Sequence, residues 1–441
     1  MHLRSVFASL LAAVLLALPP DVEAQKTPGF QGPFALVDAT IMVTPDDTLD
    51  NGTLVIRDDS IAAVGPNVAV PDEAREIDAE GLTVYPGLID SGTRLGLEEV
   101  GSLSETQDYS EIGDLTAHMD ALTAVNPNSV HIPVNRASGV TAALTEPTQG
   151  RLPGTAALIS LHGYTPEQMH LGGVKVTKLN FPSTGRTDAD DNRSQEEIDE
   201  QAQKALGELN KIWDKAELYA EIDGAVQEQP QSRRTPEFVP VMEGLLPVIR
   251  EEQPLLIAAD AAPDIESALD WAEEREVLDQ VILSGATEGW RVADQIAEAG
   301  VPVLTGSVLS TPTRDSDRYD KVYANPGLLH EAGVEVALRT SEVSNVRNLP
   351  FHAGFAATYG LGKTEALRAV TTTPARIFGV DDQVGSLEEG KRANLFVTDG
   401  DPFQPRTSVE HLFIDGYKLP LENRHTELYD EFLNRNPGLE K

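Results

Sequence analysis

Nine histidines, at positions 2, 118, 131, 162, 170, 330, 352, 411 and 425, are this chain's imidazoles. No two stand two or four residues apart, so no strand or helix offers a paired imidazole grip on a metal. His162, in Leu161-His-Gly-Tyr164, follows an apolar run and would stand at the end of a strand. There it could reach the mouth of a barrel, although a lone His in such a place is more often a hydrogen-bonded structural residue. Glu98, Asp260, Glu288 and Glu342 could together form an all-oxygen site for magnesium or calcium. Against this, a chain with 71 acids scatters carboxylates everywhere. Glu98-Glu99 could be a general acid–base pair for metal-free hydrolysis, but adjacent side chains tend to point apart. Asp188-Ala-Asp-Asp-Asn192 has the look of a calcium loop, yet Arg193 stands where that loop needs Gly and Asp199 where it needs Glu, so a solvated acidic turn is expected. The chain has no cysteine, no G-x-S-x-G elbow and no P-loop. A Ser-His-Asp triad stays open, because its order along a chain is free.

The elements that must position such groups fall into three regions. Phe34–Val43, Thr53–Arg57 and Ser60–Val64 read as short strands, with turns at Asp46-Asp47 and Asp50-Asn51-Gly52. From 81 to 375, apolar runs alternate with helical patterns. The runs are Val84–Ile89, Val140–Leu144, Ala156–Leu161, Leu255–Ala259, Val281–Leu283, Val301–Leu304 and Val334–Leu338; the helices include Asp264–Val277, Glu288–Ala299, Asn325–Glu331 and Thr364–Val370. Buried strands alternating with helices make an α/β fold with a parallel sheet, and roughly eight units over about 290 residues fit a (β/α)₈ barrel. Residues 376–420 return to short strands, so head and tail can pair as one small domain. Ser194–Asp223 interrupts the alternation as a long helix with one apolar stripe (Ile198, Ala202, Ala205, Leu209, Ile212, Ala216, Tyr219) and a Ser194/Glu197 capping box. Gln227–Pro236 reads as a loop.

Composition excludes several function classes. The net charge is −37 from 71 acids and 34 bases, which argues against nucleic acid and anionic membrane as partners. Self-repulsion on this scale is relieved by salt, which suits a high-salt habitat. Absence of cysteine rules out a disulfide scaffold and thiolate metal sites. Arg4 followed by the apolar run Val6–Leu18 and the small-residue site Val22-Glu23-Ala24 predicts a signal peptide over 1–24. The expectation is export to the periplasm or outside the cell, with no membrane span after cleavage; a retained N-terminal anchor is the alternative.

Several segments resemble one superfamily in order. Gly81-Leu-Thr-Val-Tyr-Pro-Gly-Leu-Ile-Asp90 is similar to the first barrel strand of the amidohydrolase superfamily. Asp38-Ala-Thr-Ile and Gly52–Gly65 resemble its N-terminal strands, and Thr373–Gly379 and Val384–Pro402 its closing segment, where Asn394 departs from the usual Asp. Gly139–Leu144 and Gly285–Asp294 resemble the imidazolonepropionase-like branch. The resemblance implies a TIM-like (β/α)₈ barrel over 81–375, with a composite β-sandwich from 25–80 and 376–441. It also implies ancestry in metal-dependent hydrolysis of non-peptide C–N bonds, often in cyclic amides, with zinc or another divalent ion.

The positions that should hold that metal do not match. The family's His-x-His after strand one falls on Gly92 and Arg94, its fifth- and sixth-strand His on Ala258 and Ser284, and its eighth-strand Asp on Ser341. Glycine and alanine have no ligand atom, and arginine is a permanent cation without a lone pair to give. Lys175 and Lys178 lie near the fourth strand, where relatives use a carboxylated Lys. If the fold is kept, Arg94 is expected near the lost metal's place, paired with a mouth carboxylate such as Asp260; otherwise it points into solvent. The resulting expectation is a degenerate or non-catalytic amidohydrolase-like protein without a cofactor. It would bind a small-molecule ligand, or pair with its own copies or an intact homologue. The alternative is an active secreted hydrolase with an oxygen-ligand or metal-free site.

Overall fold

The computed structural model describes residues 29–185, 192–228 and 236–435. The signal peptide expected at 1–24, the acidic turn at 188–192 and the loop at 227–236 lie wholly or largely outside them.

An outer sheet is built from both ends of the chain. Its strands are β1 (Phe30–Gln31), β2 (Phe34–Thr44), β3 (Asp47–Arg57), β4 (Ser60–Gly65), β5 (Arg75–Asp78) and β6 (Thr83–Pro86), followed after the barrel by β15 (Leu395–Thr398), β16 (Val409–Ile414) and β17 (Tyr417–Leu419). The order is β1-β17-β16-β15-β6-β2-β3-β4, with β5 beside β2. The antiparallel pair β6–β15, with Tyr85 opposite Phe396, joins head to tail. Phe34, Leu36, Ile41, Leu54, Leu395 and Phe413 form its own small core. The run Val84–Ile89, expected as one strand, is split at Gly87 between the two sheets. Gly87 is required there because a Cβ would lie 2.2 Å from Oγ1 of Thr141.

The inner sheet is a nearly closed barrel of eight strands: β7 (Leu88–Thr93), β8 (Val140–Thr145), β9 (Gly154–Ser160), β10 (Val176–Asn180), β11 (Leu255–Ala259), β12 (Val281–Gly285), β13 (Val303–Thr305) and β14 (Val336–Leu338). The uniform β-α alternation expected from sequence fails at one place. β9 runs antiparallel to both β8 and β10. Only residues 146–153 separate β8 from β9, and a parallel return needs a crossover of about a dozen residues or more. The seam between β14 and β7 closes through side chain and loop. The Thr340 amide donates to Oδ1 of Asp90 at 3.1 Å, and the Ser341 amide to the Gly92 carbonyl at 2.9 Å.

Strand parity sorts the barrel residues. Leu144, Val176, Leu256, Ile282, Leu304 and Ala337 point inward to one apolar cluster, while Ala143, Leu255, Leu283 and Val303 face the helices. The long helix spans Gln195–Glu228, and Ser194 and Glu197 cap each other as expected. Its stripe is anchored by Trp213, fully buried and edge-on to Trp271 at 4.9 Å, whereas Ala205 and Ile212 are only half-buried.

Candidate functional site

Two residues beyond four of these inward-facing apolar residues, the same parity carries a polar layer. Leu144 leads to Glu146, Val176 to Lys178, Ile282 to Ser284 and Ala337 to Arg339. All four are buried, and they come from alternate strands, the arrangement by which barrels of this type stack side-chain layers. Arg339 reaches across the mouth. Its Nη1 donates to Oγ of Ser284 and its Nη2 to Oε1 of Glu146. Lys178 Nζ donates to the other oxygen, Oε2 of Glu146, at 3.0 Å. The layer therefore holds two cationic side chains against one carboxylate.

The environment reinforces this pairing. Burial alone would push the Glu146 carboxyl up, but the charges of Arg339 and Lys178 outweigh it and hold the group below the usual carboxylate range. Burial lowers the Lys178 ammonium, with Glu146 pulling the other way. Asp90, wholly buried at the seam, is raised to about 6 by burial despite hydrogen bonds from Thr340 and the Gly92 amide.

Four of the five positions matched to the family's metal ligands lie at or beside this layer. Gly92 leaves the space that Arg339 fills, since a Cβ there would lie 2.9 Å from Nε of Arg339. Ser284 accepts from Arg339, and Ala258 lies beside Ser284 in the ladder. Ser341, in left-handed backbone at φ 71°, takes part in the seam through its amide. Arg94 is elsewhere. Its Nε pairs with Oε2 of Glu98 at 3.0 Å and its guanidinium lies over the Tyr109 ring, so the pairing expected with Asp260 does not form. The residue that fills the cavity is Arg339. Residue 94 stands at the beginning of a turn, and the charge four residues on captures it.

The remaining candidates do not converge. Asp260 is exposed and accepts from Thr287. Glu288 is buried and bound by Arg314, Thr313 and the Ala262 amide. Glu342 is exposed, 3.4 Å from Nδ2 of Asn345. Lys175 pairs with Asp120. His162 lies at the opposite end of the barrel, because β9 is reversed and the Leu161 amide bonds the Thr141 carbonyl at the start of β8. Its ring stacks on Tyr417 at 4.6 Å. Among the described residues no three His, Cys, Asp or Glu side chains are grouped to hold a metal ion.

The donor set at the mouth therefore does not fit a divalent cation. Two of its four side chains are cations with no lone pair to offer, and its single carboxylate is saturated by them. Glu146 and Arg339 are not among the sequence candidates, because neither falls on a position matched to a family ligand. The available signal was parity: each stands two residues beyond an inward-facing apolar residue.

The chain matches known proteins over most of its length. Residues 260–421 match the model of the amidohydrolase family. Amidohydrolase tasK of Hapsidospora irregularis is 23% identical over 382 residues, which are 80% of this chain and 38% of that protein. The dihydroorotase of Mycobacterium tuberculosis is 29% identical over 132 residues, 30% of this chain and 29% of that one. The chain thus spans well under half the length of the curated relatives it matches. Among solved structures, an amidohydrolase from Thermotoga maritima MSB8 shares the fold with a TM-score of 0.76 at 24% identity, covering 88% of this chain and 99% of that one. The chain is thus similar to the amidohydrolase family in sequence over residues 260–421 and shares the fold of an amidohydrolase over most of its length.

Proposed function

We propose that this protein is an amidohydrolase-superfamily member in which an internal ion-pair layer has replaced the hydrolytic metal centre. It would then act without metal-dependent C–N bond hydrolysis. The observation that carries this reading is the Arg339 guanidinium, seated in the Gly92 cradle and bound to Ser284 and Glu146. A fixed positive charge there repels a divalent ion and occupies the volume a nucleophilic water would need. An active oxygen-ligand site would require Glu98, Asp260, Glu288 and Glu342 to converge, and each is engaged separately.

The apolar run Val6–Leu18 and the following small-residue site support export. A barrel freed from hydrolysis suits a binding role, toward a small molecule or an intact homologue. The outer sheet, closed on its own core, supports the reading of a composite sandwich that would stiffen the barrel's base. The test is elemental analysis of the full chain after incubation with zinc and desalting, alongside assays on cyclic amides with zinc present. Little or no retained zinc and no turnover are expected. About one firmly held zinc per chain, with hydrolysis, overturns the reading.

A further inference from the structure

We infer that a groove at the base of the barrel, on the face opposite the mouth, is a binding site for a small amphipathic carboxylate, with Arg136 taking the charge. The groove runs between residues 127–136, residues 161–164 and the C-terminal segment 419–430, and holds about 810 Å³, enough for a ligand of drug-like size. It is independent of the mouth layer and of the reading built on it.

Arg136 is the observation that points to a ligand. Most described arginines in this acidic chain face a carboxylate. Arg136 has no ion pair or side-chain hydrogen bond among the described residues, and its Nε is buried without a partner. Burial alone lowers its pKa to about 10. An unpaired, partly desolvated guanidinium is costly unless something supplies the missing anion, and its planar fork matches a carboxylate.

The walls define the rest of the ligand. Ile132, Leu161 and Met169 provide an apolar floor, and His162, edge-on to the exposed Tyr164 ring, provides a flat wall. Burial, with Arg136 nearby, keeps the His162 ring toward its neutral form, although Asp415 acts the other way. The far wall carries Glu422, Glu427 and Asp430, with Glu427 paired to Arg424 at 3.8 Å. Those acids disfavour a dianion such as a phosphate monoester, leaving a carboxylate monoanion with an apolar body. A free organic acid and the C-terminus of a peptide both present that chemistry.

Isothermal titration calorimetry on the full chain decides the matter. The probes are octanoate, 3-phenylpropionate, octanamide, and a Leu-ending hexapeptide with a free or an amidated C-terminus. We expect an acid to bind saturably, with one site per chain. The matching amide, and the acid with Arg136→Met protein, should each bind roughly tenfold weaker or worse, with partial recovery in Arg136→Lys. Binding by octanoate or 3-phenylpropionate identifies a free acid as the occupant; binding by the peptide acid alone identifies a polypeptide terminus. The inference fails if none of the acids saturates the protein, or if acid and amide bind alike. The amide comparison uses unaltered protein, so it stands even if Arg136→Met does not fold.

Discussion

Gly92 and Arg339 compete for a single volume at the mouth of the barrel: a Cβ on residue 92 would lie 2.9 Å from Nε and 3.1 Å from Cζ of Arg339. The absence of a side chain at residue 92 and the seating of a guanidinium from residue 339 are therefore one structural arrangement. Any side chain introduced at residue 92, imidazole included, must first displace Arg339 from Ser284 and Glu146.

Gly92→Ala should consequently destabilise the protein by about 1–3 kcal/mol, the usual penalty for overpacking a buried site. Arg339→Met removes the obstructing group, so the double variant should lose less than the sum of the singles. Urea unfolding of the four proteins measures the coupling, and strict additivity would show that the two residues do not share the space.

Glu146→Gln leaves Lys178 and Arg339 buried together with no anion between them. A loss of about 3–5 kcal/mol is expected, as for other broken buried ion pairs. Adding Lys178→Met should recover part of that loss. If Glu146→Gln unfolds at the same urea concentration as the parent, the layer is not held by charge.

Asp90 predicts a pH dependence. Its folded-state pKa, about 6, lies above the ordinary 3.8, so the folded chain holds this proton more tightly than the unfolded chain. The stabilising contribution is complete below about pH 4 and is lost as pH rises through about 6. The loss is on the order of 3 kcal/mol for a shift of this size. Asp90→Asn should remove that loss and be more stable than the parent at pH 8, because an amide can still accept from the Thr340 and Gly92 amides. Parent and variant stability curves that run parallel from pH 4 to pH 8 would refute the assignment.

Salt should stabilise this chain. With a net charge of −37, repulsion among surface acids is long-ranged at low ionic strength, and raising salt from about 0.1 M to about 1 M shortens the screening length from about 10 Å to about 3 Å. The melting temperature should rise by several degrees over that range. A flat response would remove the support for a high-salt habitat.

Much of the barrel could be read from the chain. The strands around Val140–Leu144, Leu255–Ala259 and Val281–Leu283, the long helix with its Ser194/Glu197 cap, and the strands of the head follow from period, turn residues and capping pattern. These signals are local, carried by residues close in sequence. The reversal of β9 was also within reach, since residues 146–153 are too few for a crossover. Apolar content alone does not show it, because it does not record strand direction.

The amino-acid sequence by itself determined that residues 92, 258, 284 and 341 are glycine, alanine and two serines, with no imidazole or carboxylate among them, since residue identities do not depend on any fold. It also determined the acidity and the apolar runs of seven of the eight barrel strands, Val176–Asn180 being the exception. Only the tertiary structure decided which cation sits at the barrel mouth. Arg94 and Arg339 carry the same charge, and each lies just beyond a barrel strand. Arg94 is captured by Glu98, one turn along its own chain, while Arg339 reaches Glu146 nearly two hundred positions away. That choice depends on which strand ends the closed ring brings face to face, and a linear pattern carries no record of distances across a barrel.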